Sequence, residues 1–222
     1  MTPSVHRPAA VLWDMDGTLV DTEPYWFAVE REIVGSFGNE WPDHRAHAMV
    51  GFDLTDSAAY MREHGGVELP SGRIVELLLE GVARRISEAI PWQPGARELL
   101  GELNELGVPC ALVTMSWAEF AGGIVDALPA GSFVTAITGD AVPPGRGKPH
   151  PEPYLMGAAA VGCAATDCVA IEDSPTGVRS ALDAGCRVLG VPNVKTLMPE
   201  PKLTIASSLA GVTAADLARL PW

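Results

Sequence analysis

The sequence predicts an α/β chain: a doubly wound parallel sheet interrupted early by an all-helical insertion. Three observations carry that prediction. A short apolar strand at residues 9–13 runs directly into Asp14 and Asp16, with Gly17 behind them. From Gly95 onward, apolar strand-like runs alternate with helical segments, as in a sheet covered on both faces. Between these regions, residues 22–91 carry helical periodicity and no strand pattern. The 222 residues accommodate a large core with a smaller domain inserted in it. The expected partition is 1–21 with 92–222 for the sheet domain and 22–91 for the helical one.

Taken in order, residues 1–8 read as a loose leader before the first strand. Period-two alternation would place Asp14 and Asp16 on the same side if the strand continued, and Gly17 permits a sharp change of direction. Thr22 or Glu23 then precedes Pro24, a residue suited to a first helical turn. The helix from Pro24 to Phe37 shows Trp26, Val29, Ile33 and Phe37 on one face. Residues 38–51 are turn-rich and carry no assignable period. A helix from about Asp53 to Glu63 ends at Gly65-Gly66. The clearest helix runs from about Ser71 to Ala89, where Ile74, Leu78, Val82 and Ile86 recur every four residues. Prolines 91 and 94 close the insertion.

The sheet domain then resumes. A helix carrying Leu99, Leu103 and Leu106 stops at Gly107, and Val108 to Val113 is a nearly continuous apolar run, the texture of a buried parallel strand. Helices follow at 118–127 and 153–161, strands near 133–137 and 167–171, and a helix at 175–184. Ser174 is the expected N-cap of that last helix, Pro175 its first residue and Gly185 its stop. Further strands are expected at 187–191 and 203–206.

Composition narrows the function. The net charge of −13 opposes binding to nucleic acid or an anionic membrane surface. It leaves room for a small phosphorylated molecule, because a bound cation and one lysine can reverse the sign locally. The four cysteines show no CxxC spacing and read as reduced and mostly buried, as in a cytoplasmic protein. Residues 9–13 are too few for a signal peptide, and no run approaches a membrane span. The phosphate loops GxGxxG and GxxxxGK[ST] are absent.

The strands end in polar residues of one kind. The first ends at Asp14 and Asp16, the second at Thr114 with Ser116 two further on, and strand 167–171 at Glu172-Asp173. In a parallel sheet these ends share one edge. Lys148, in Gly145-Arg-Gly-Lys-Pro-His-Pro-Glu-Pro153, sits on a loop that three X-Pro steps stiffen. Four converging carboxylates repel one another unless a cation lies among them. An all-oxygen donor set without paired His or Cys favours Mg²⁺ over zinc. Phosphoryl transfer to a carboxylate nucleophile suits this set, with Lys148 and Thr114 available to phosphoryl oxygens. Plainer roles exist for each residue: Thr114 as a helix cap, Lys148 as a solvated loop lysine, Ser116 as an N-cap, Arg146 as a solvated cation and His150 as a structural group. Trp26 and Phe52 read as packing residues of the insertion.

Asp14-Met-Asp16-Gly-Thr-Leu, Thr114 behind an apolar strand, Gly147-Lys148-Pro149-x-Pro151-Glu152 and Glu172-Asp173-Ser174 together resemble the four motifs of the haloacid dehalogenase superfamily, in the right order. The helical insertion after the first motif resembles that family's C1 cap, as in β-phosphoglucomutases and 2-deoxyglucose-6-phosphate-type phosphatases. The resemblance implies Asp14 as the nucleophile, forming an aspartyl-phosphate, and Asp16 as the general acid and base. It implies Thr114 and Lys148 as phosphate-binding residues. The implied Mg²⁺ ligands are Asp14, the backbone carbonyl of Asp16, and Asp173, with Glu172 supporting them or serving as an additional ligand. Asp16 argues against dehalogenation, which needs neither that acid nor a metal.

Two departures bear on mutase chemistry. β-Phosphoglucomutases carry an arginine just after a cap glycine, where Phe52 and Asp53 follow Gly51 here. They also carry a histidine shortly after the first motif, where Trp26 stands. The expectation is therefore a Mg²⁺-dependent phosphatase of sugar or polyol phosphates, a monomer or weak homo-oligomer. The alternatives are a sugar-phosphate mutase or a non-catalytic binding or regulatory protein on the same fold.

Overall fold

The computed structural model describes residues 7–50, 52 and 54–221. In chain order its elements begin with β1 (Ala10–Trp13), α1 (Glu23–Ser36), α2 (Asp43–Met49), α3 (Leu54–Gly65), α4 (Ser71–Glu88), α5 (Ala96–Glu105), β2 (Cys110–Val113) and α6 (Ala118–Asp126). They continue with β3 (Thr135–Ile137), α7 (Glu152–Ala160), β4 (Cys168–Glu172), α8 (Pro175–Ala184), β5 (Arg187–Gly190), β6 (Leu203–Ile205) and α9 (Ala214–Ala218). Two compact units result, one made of the chain up to Asp21 with Trp92 onward, the other of Thr22–Pro91.

The first unit is an α/β fold around a six-stranded sheet in the order β3-β2-β1-β4-β5-β6, with every neighbouring pair parallel. β1, β2, β4 and β5 are buried along their whole length, as near-continuous apolar strands must be when helices cover them. Helix α7 packs across β1, β2 and β3, α8 lies on β4 and β5, and α5 packs on β2. Leu12, Val113, Tyr154, Ala170, Val178 and Val188 belong to one buried cluster between sheet and helices. Ser174 does cap α8, its hydroxyl accepting from the Gly177 N–H, with Pro175 next and Gly185 left-handed at the end.

Two helices lie where the sequence shows no usable period. Helix α2, inside the turn-rich stretch 38–51, is seven residues long and buries Ala46 and Met49. Helix α9 is only five residues and starts from a reciprocal Thr213–Asp216 capping box. Both are shorter than the window in which a helical period can be read. The expected helix start at Asp53 falls outside the described residues, as do residues 1–6 of the expected leader.

In the helical unit α1 and α3 both pack on α4. The buried face of α1 is Val29, Glu30, Ile33 and Val34: the middle of the expected stripe, Val29 and Ile33, is there, while its ends, Trp26 and Phe37, are not. Phe37 is the C-cap of the helix and 36% exposed. Glu30 is the surprise on this face. Its Oε2 accepts from Trp41 Nε1 at 3.0 Å, and burial pushes its carboxyl from 4.5 up to about 8, despite that hydrogen bond.

The linkage is direct. Between pH 4.5 and 8 the folded state holds a proton that the unfolded state has released, so stability falls as pH rises through that window. Glu30→Gln keeps an oxygen for Trp41 and removes the titration. It is expected to melt higher than the parent at pH 8, by an amount on the order of a few kcal/mol. The gap should close toward pH 5. Equal melting temperatures at pH 8 would refute the cause.

Candidate active site

The parallel sheet brings the polar strand ends to one edge. Asp14 continues β1 beyond its last residue, its N–H donating to Ile171 O at 3.0 Å, and Thr114 continues β2 in the same way toward Ile137 O at 2.9 Å. After Asp14 the chain folds into a tight turn in which Met15 O accepts from the N–H groups of Thr18, Leu19 and Val20. Gly17 takes φ +90° there, and a Cβ on it would stand 2.2 Å from Asp173 Oδ2. Only glycine serves both conditions. Gln93 clamps the turn, donating from Nε2 to Gly17 O at 2.9 Å and from its N–H to Leu19 O at 3.0 Å.

Lys148 is brought into this edge by its proline-stiffened loop. The Glu152 N–H donates to His150 Nδ1 at 3.1 Å, and Ser180 ties the His150 carbonyl to α8 at 2.6 Å, so His150 is structural. Arg146 pairs with Glu152 at 3.1 Å on the surface. The Lys148 ammonium donates to Asp14 Oδ1 at 2.6 Å, Glu172 Oε1 at 2.7 Å and Val113 O at 2.9 Å. All three of its protons are thus engaged. It also lies 5.1 Å from the centre of the Tyr154 ring. Burial penalises that charge, but the Asp14 and Glu172 carboxylates outweigh the penalty and hold it above the usual lysine range.

Asp14, Glu172 and Asp173 offer oxygens within 4.8 Å of one another. Glu172 is fully buried with both oxygens used. Oε1 accepts from Lys148 and from Tyr154 Oη at 2.8 Å, and Oε2 accepts from the Ser174 N–H and hydroxyl at 3.2 and 3.0 Å. A Cβ at position 177 would fall 1.7 Å from Oε1, so Gly177 is the space this carboxylate occupies. Of the two roles expected for Glu172, support of its neighbours fits better than metal ligation, which would displace Ser174 or Lys148.

Asp14 is different. One oxygen meets Lys148, while Oδ2 is buried without a hydrogen-bond partner. Burial, followed by the charge of Glu172, raises the Asp14 carboxyl well above the carboxylate range despite Lys148. Burial and then the charges of Asp14 and Glu172 raise Asp173 in the same direction. An orphaned buried oxygen beside mutually repelling carboxylates is the environment a divalent cation relieves, and the donors are all oxygen. These residues fit Mg²⁺.

Asp16 lies in the turn after β1, and its charge adds to the rise of both Asp14 and Asp173. Its Oδ2 accepts from the Ser116 hydroxyl at 2.6 Å and lies 3.4 Å from Thr114 Oγ1. The Ser116 N–H in turn donates to Thr114 Oγ1 at 3.0 Å. The expected capping role of Ser116 does not hold. Helix α6 begins at Ala118, whose N–H goes to Asp140 Oδ1 at 3.0 Å, and the Ser116 side chain goes to Asp16. The expected site residues Asp14, Lys148, Glu172 and Asp173 therefore form one group, with Asp16 and Thr114 joined through Ser116. Tyr154 is the member that sequence reasoning missed, since no spacing marks it and only the fold places it; Ser116 was marked two residues past Thr114 but read as a cap. In the helical unit, Phe52 is 45% exposed and meets Tyr60 edge-on, and Trp26 is half-buried. Gly51 and Asp53, on which the mutase comparison turns, lie outside the described residues.

Known proteins resemble this chain at every level. A family model described as haloacid dehalogenase-like hydrolase matches residues 11–191. Hexitol phosphatase A of Escherichia coli K12 is 35% identical over 200 residues, 83% of this chain and 83% of that protein. Hexitol phosphatase B of the same strain is 30% identical over 220 residues, 94% of this chain and 96% of that one. A crystal structure of β-phosphoglucomutase from Clostridium difficile superposes with a TM-score of 0.73 over 93% of each chain at 21% identity, a likeness of fold alone.

Proposed function

The chain belongs to the haloacid dehalogenase-like hydrolases, and from that premise we propose a Mg²⁺-dependent phosphatase of sugar or polyol phosphates that works through an aspartyl-phosphate on Asp14. Phosphomonoester hydrolysis is the activity of the relatives that match most of its length. The observation that carries the finer proposal is the state of Asp14: one oxygen fixed by a buried ammonium, the other buried and unpartnered.

The residues divide the chemistry as follows. Lys148 fixes the plane and position of the Asp14 carboxylate, so the nucleophile is aimed before substrate arrives. Attack by Asp14 on phosphorus expels the alkoxide, which takes its proton from Asp16. Asp16, now a carboxylate, removes a proton from water, and that water attacks phosphorus, breaks the acyl-phosphate bond and releases inorganic phosphate. Thr114 is assigned to the phosphoryl oxygens; Lys148, expected to share that role, does so only by giving up one of its bonds to Asp14, Glu172 or Val113 O. Asp14, the Asp16 carbonyl and Asp173 would hold Mg²⁺, which when bound neutralises charge on the transferring group. Glu172 and Tyr154 keep Lys148 in place. The helical unit 22–91 is assigned the part of a cap that selects the substrate.

A hexitol phosphate is the substrate proposed, by likeness to the two Escherichia coli relatives. A reducing, cytoplasmic setting suits the four cysteines, all free thiols here. No helix among the described residues is long and apolar enough to cross a membrane.

Chelation with EDTA is expected to abolish phosphate release, with recovery on Mg²⁺ and not on Ca²⁺, which takes more ligands at longer distance. Because Asp14 and Asp173 hold protons more tightly than ordinary carboxylates, Mg²⁺ uptake at neutral pH should release protons and weaken as pH falls. Calorimetry in buffers of different ionisation enthalpy reads that release directly. Full activity in EDTA would sink the metal assignment, and isomerisation of a hexose phosphate without phosphate release would replace hydrolysis by mutase chemistry.

A further inference from the structure

Asp16 is the group whose geometry the proposed phosphatase reaction leaves least determined. A carboxyl carries two oxygens, and only one can deliver a proton to the leaving group. Two hydroxyls converge on Oδ2, Ser116 at 2.6 Å and Thr114 at 3.4 Å. Resting on that reaction, we infer that Ser116 is a positioning residue, which by donating to Oδ2 turns Oδ1 of Asp16 toward the leaving oxygen.

Ser116 is itself built to be immobile. Its N–H donates to Thr114 Oγ1 at 3.0 Å, and its carbonyl accepts the Gly139 N–H at 3.0 Å. Gly139 comes so close that a Cβ on it would stand 2.1 Å from the Met115 carbonyl oxygen. The peptide is thus pinned on both sides, and the hydroxyl inherits that position. An oxygen already accepting hydroxyl protons is a poor seat for the acidic proton, which therefore resides on Oδ1. When the alkoxide departs, that proton passes from Oδ1 to the leaving oxygen. The carboxylate so formed keeps its Ser116 hydrogen bond and is oriented for the water of the second step. Thr114, at the longer distance and buried, is the weaker of the two holds.

The chemistry supplies an internal control. The alkoxide of a polyol is a strong base and must be protonated as it leaves, whereas p-nitrophenolate departs without help. A misaligned Asp16 therefore slows the alkyl ester far more than the aryl ester, while a loss of folded enzyme slows both equally. Phosphate release from a hexitol phosphate and from p-nitrophenyl phosphate is measured for the parent, Ser116→Ala and Ser116→Thr, with Mg²⁺ saturating. For Ser116→Ala the loss in kcat on the hexitol phosphate is expected to exceed the loss on the aryl ester by about tenfold or more, with KM changed by no more than about twofold. Ser116→Thr retains a hydroxyl on the same carbon and should recover most of the difference. Equal losses on the two esters, no loss on either, or a threonine variant as skewed as the alanine one would overturn this role alone. A parent enzyme inert toward both esters would overturn the phosphatase reaction and the role of Ser116 with it.

Discussion

Asp14→Asn is expected to reduce phosphate release by a factor on the order of 10⁴ or more, leaving a folded protein that no longer forms a phosphoenzyme. An amide is a far weaker nucleophile than a carboxylate, and no other group shares its place. Glu172 has both oxygens committed to Lys148, Tyr154 and Ser174. Asp173 stands behind the Gly17 turn, and Asp16 is held by Ser116. The fold should tolerate the change well. Asparagine keeps an oxygen for Lys148 and removes one of the charges that push Asp173 up. Acid-quench trapping of the phosphoenzyme and a thermal melt settle the two halves separately. A trapped phosphoenzyme in the asparagine variant would place the covalent step elsewhere; a collapsed melt would leave its inactivity to unfolding, and would refute the tolerance argued here.

The contrast between Asp14 and Ser116 shows what the sequence can and cannot disclose. Asp14, Asp16, Glu172 and Asp173 were legible because each lies at the end of an apolar strand, and parallel topology carries strand ends to one edge whatever their separation. Lys148 was legible because prolines 149, 151 and 153 make its loop stiff. Tyr154 has no such signature, and Ser116, two residues past a strand end, carries one that also fits a cap. Serine before a helix is the usual pattern of a cap, and here Asp140 took that place, freeing the serine for Asp16. Tyr154 reads as one more apolar residue of α7, and only the packing of that helix across β1 and β2 sets its hydroxyl beside Glu172. The same limit applies to the helical unit. The α4 stripe was plain over eighteen residues, whereas α1 keeps Val29 and Ile33 of its stripe but buries beside them a glutamate that no hydrophobic pattern would include.

Lys148→Met should harm stability as well as activity, and the pH dependence of the harm is its signature. Methionine preserves an unbranched chain but supplies no donor. Lys148 is 6% exposed in its side chain, Asp14 10% and Glu172 not at all, so water cannot replace the ammonium. Removing one member of a buried ion pair costs about 3–5 kcal/mol because the partner charges stay behind. For a chain of this size that is a fall in Tm of about 10 °C. In the parent without metal, Asp14 and Asp173 already bind protons that an unfolded chain would release at neutral pH, so stability declines as pH rises above the ordinary carboxylate range. Without Lys148 that slope steepens: the variant should approach the parent near pH 5, where protons replace the lost cation, and diverge at pH 8. Mg²⁺ should recover part of the lost stability without recovering turnover, since it relieves the same repulsion but cannot hold Asp14 Oδ1 in place. Lys148→Arg is expected to fail too, because a planar guanidinium does not fit three acceptors arranged around one nitrogen. A methionine variant as stable as the parent at pH 8 would mean that the ammonium is not what lets these carboxylates share one edge of the sheet.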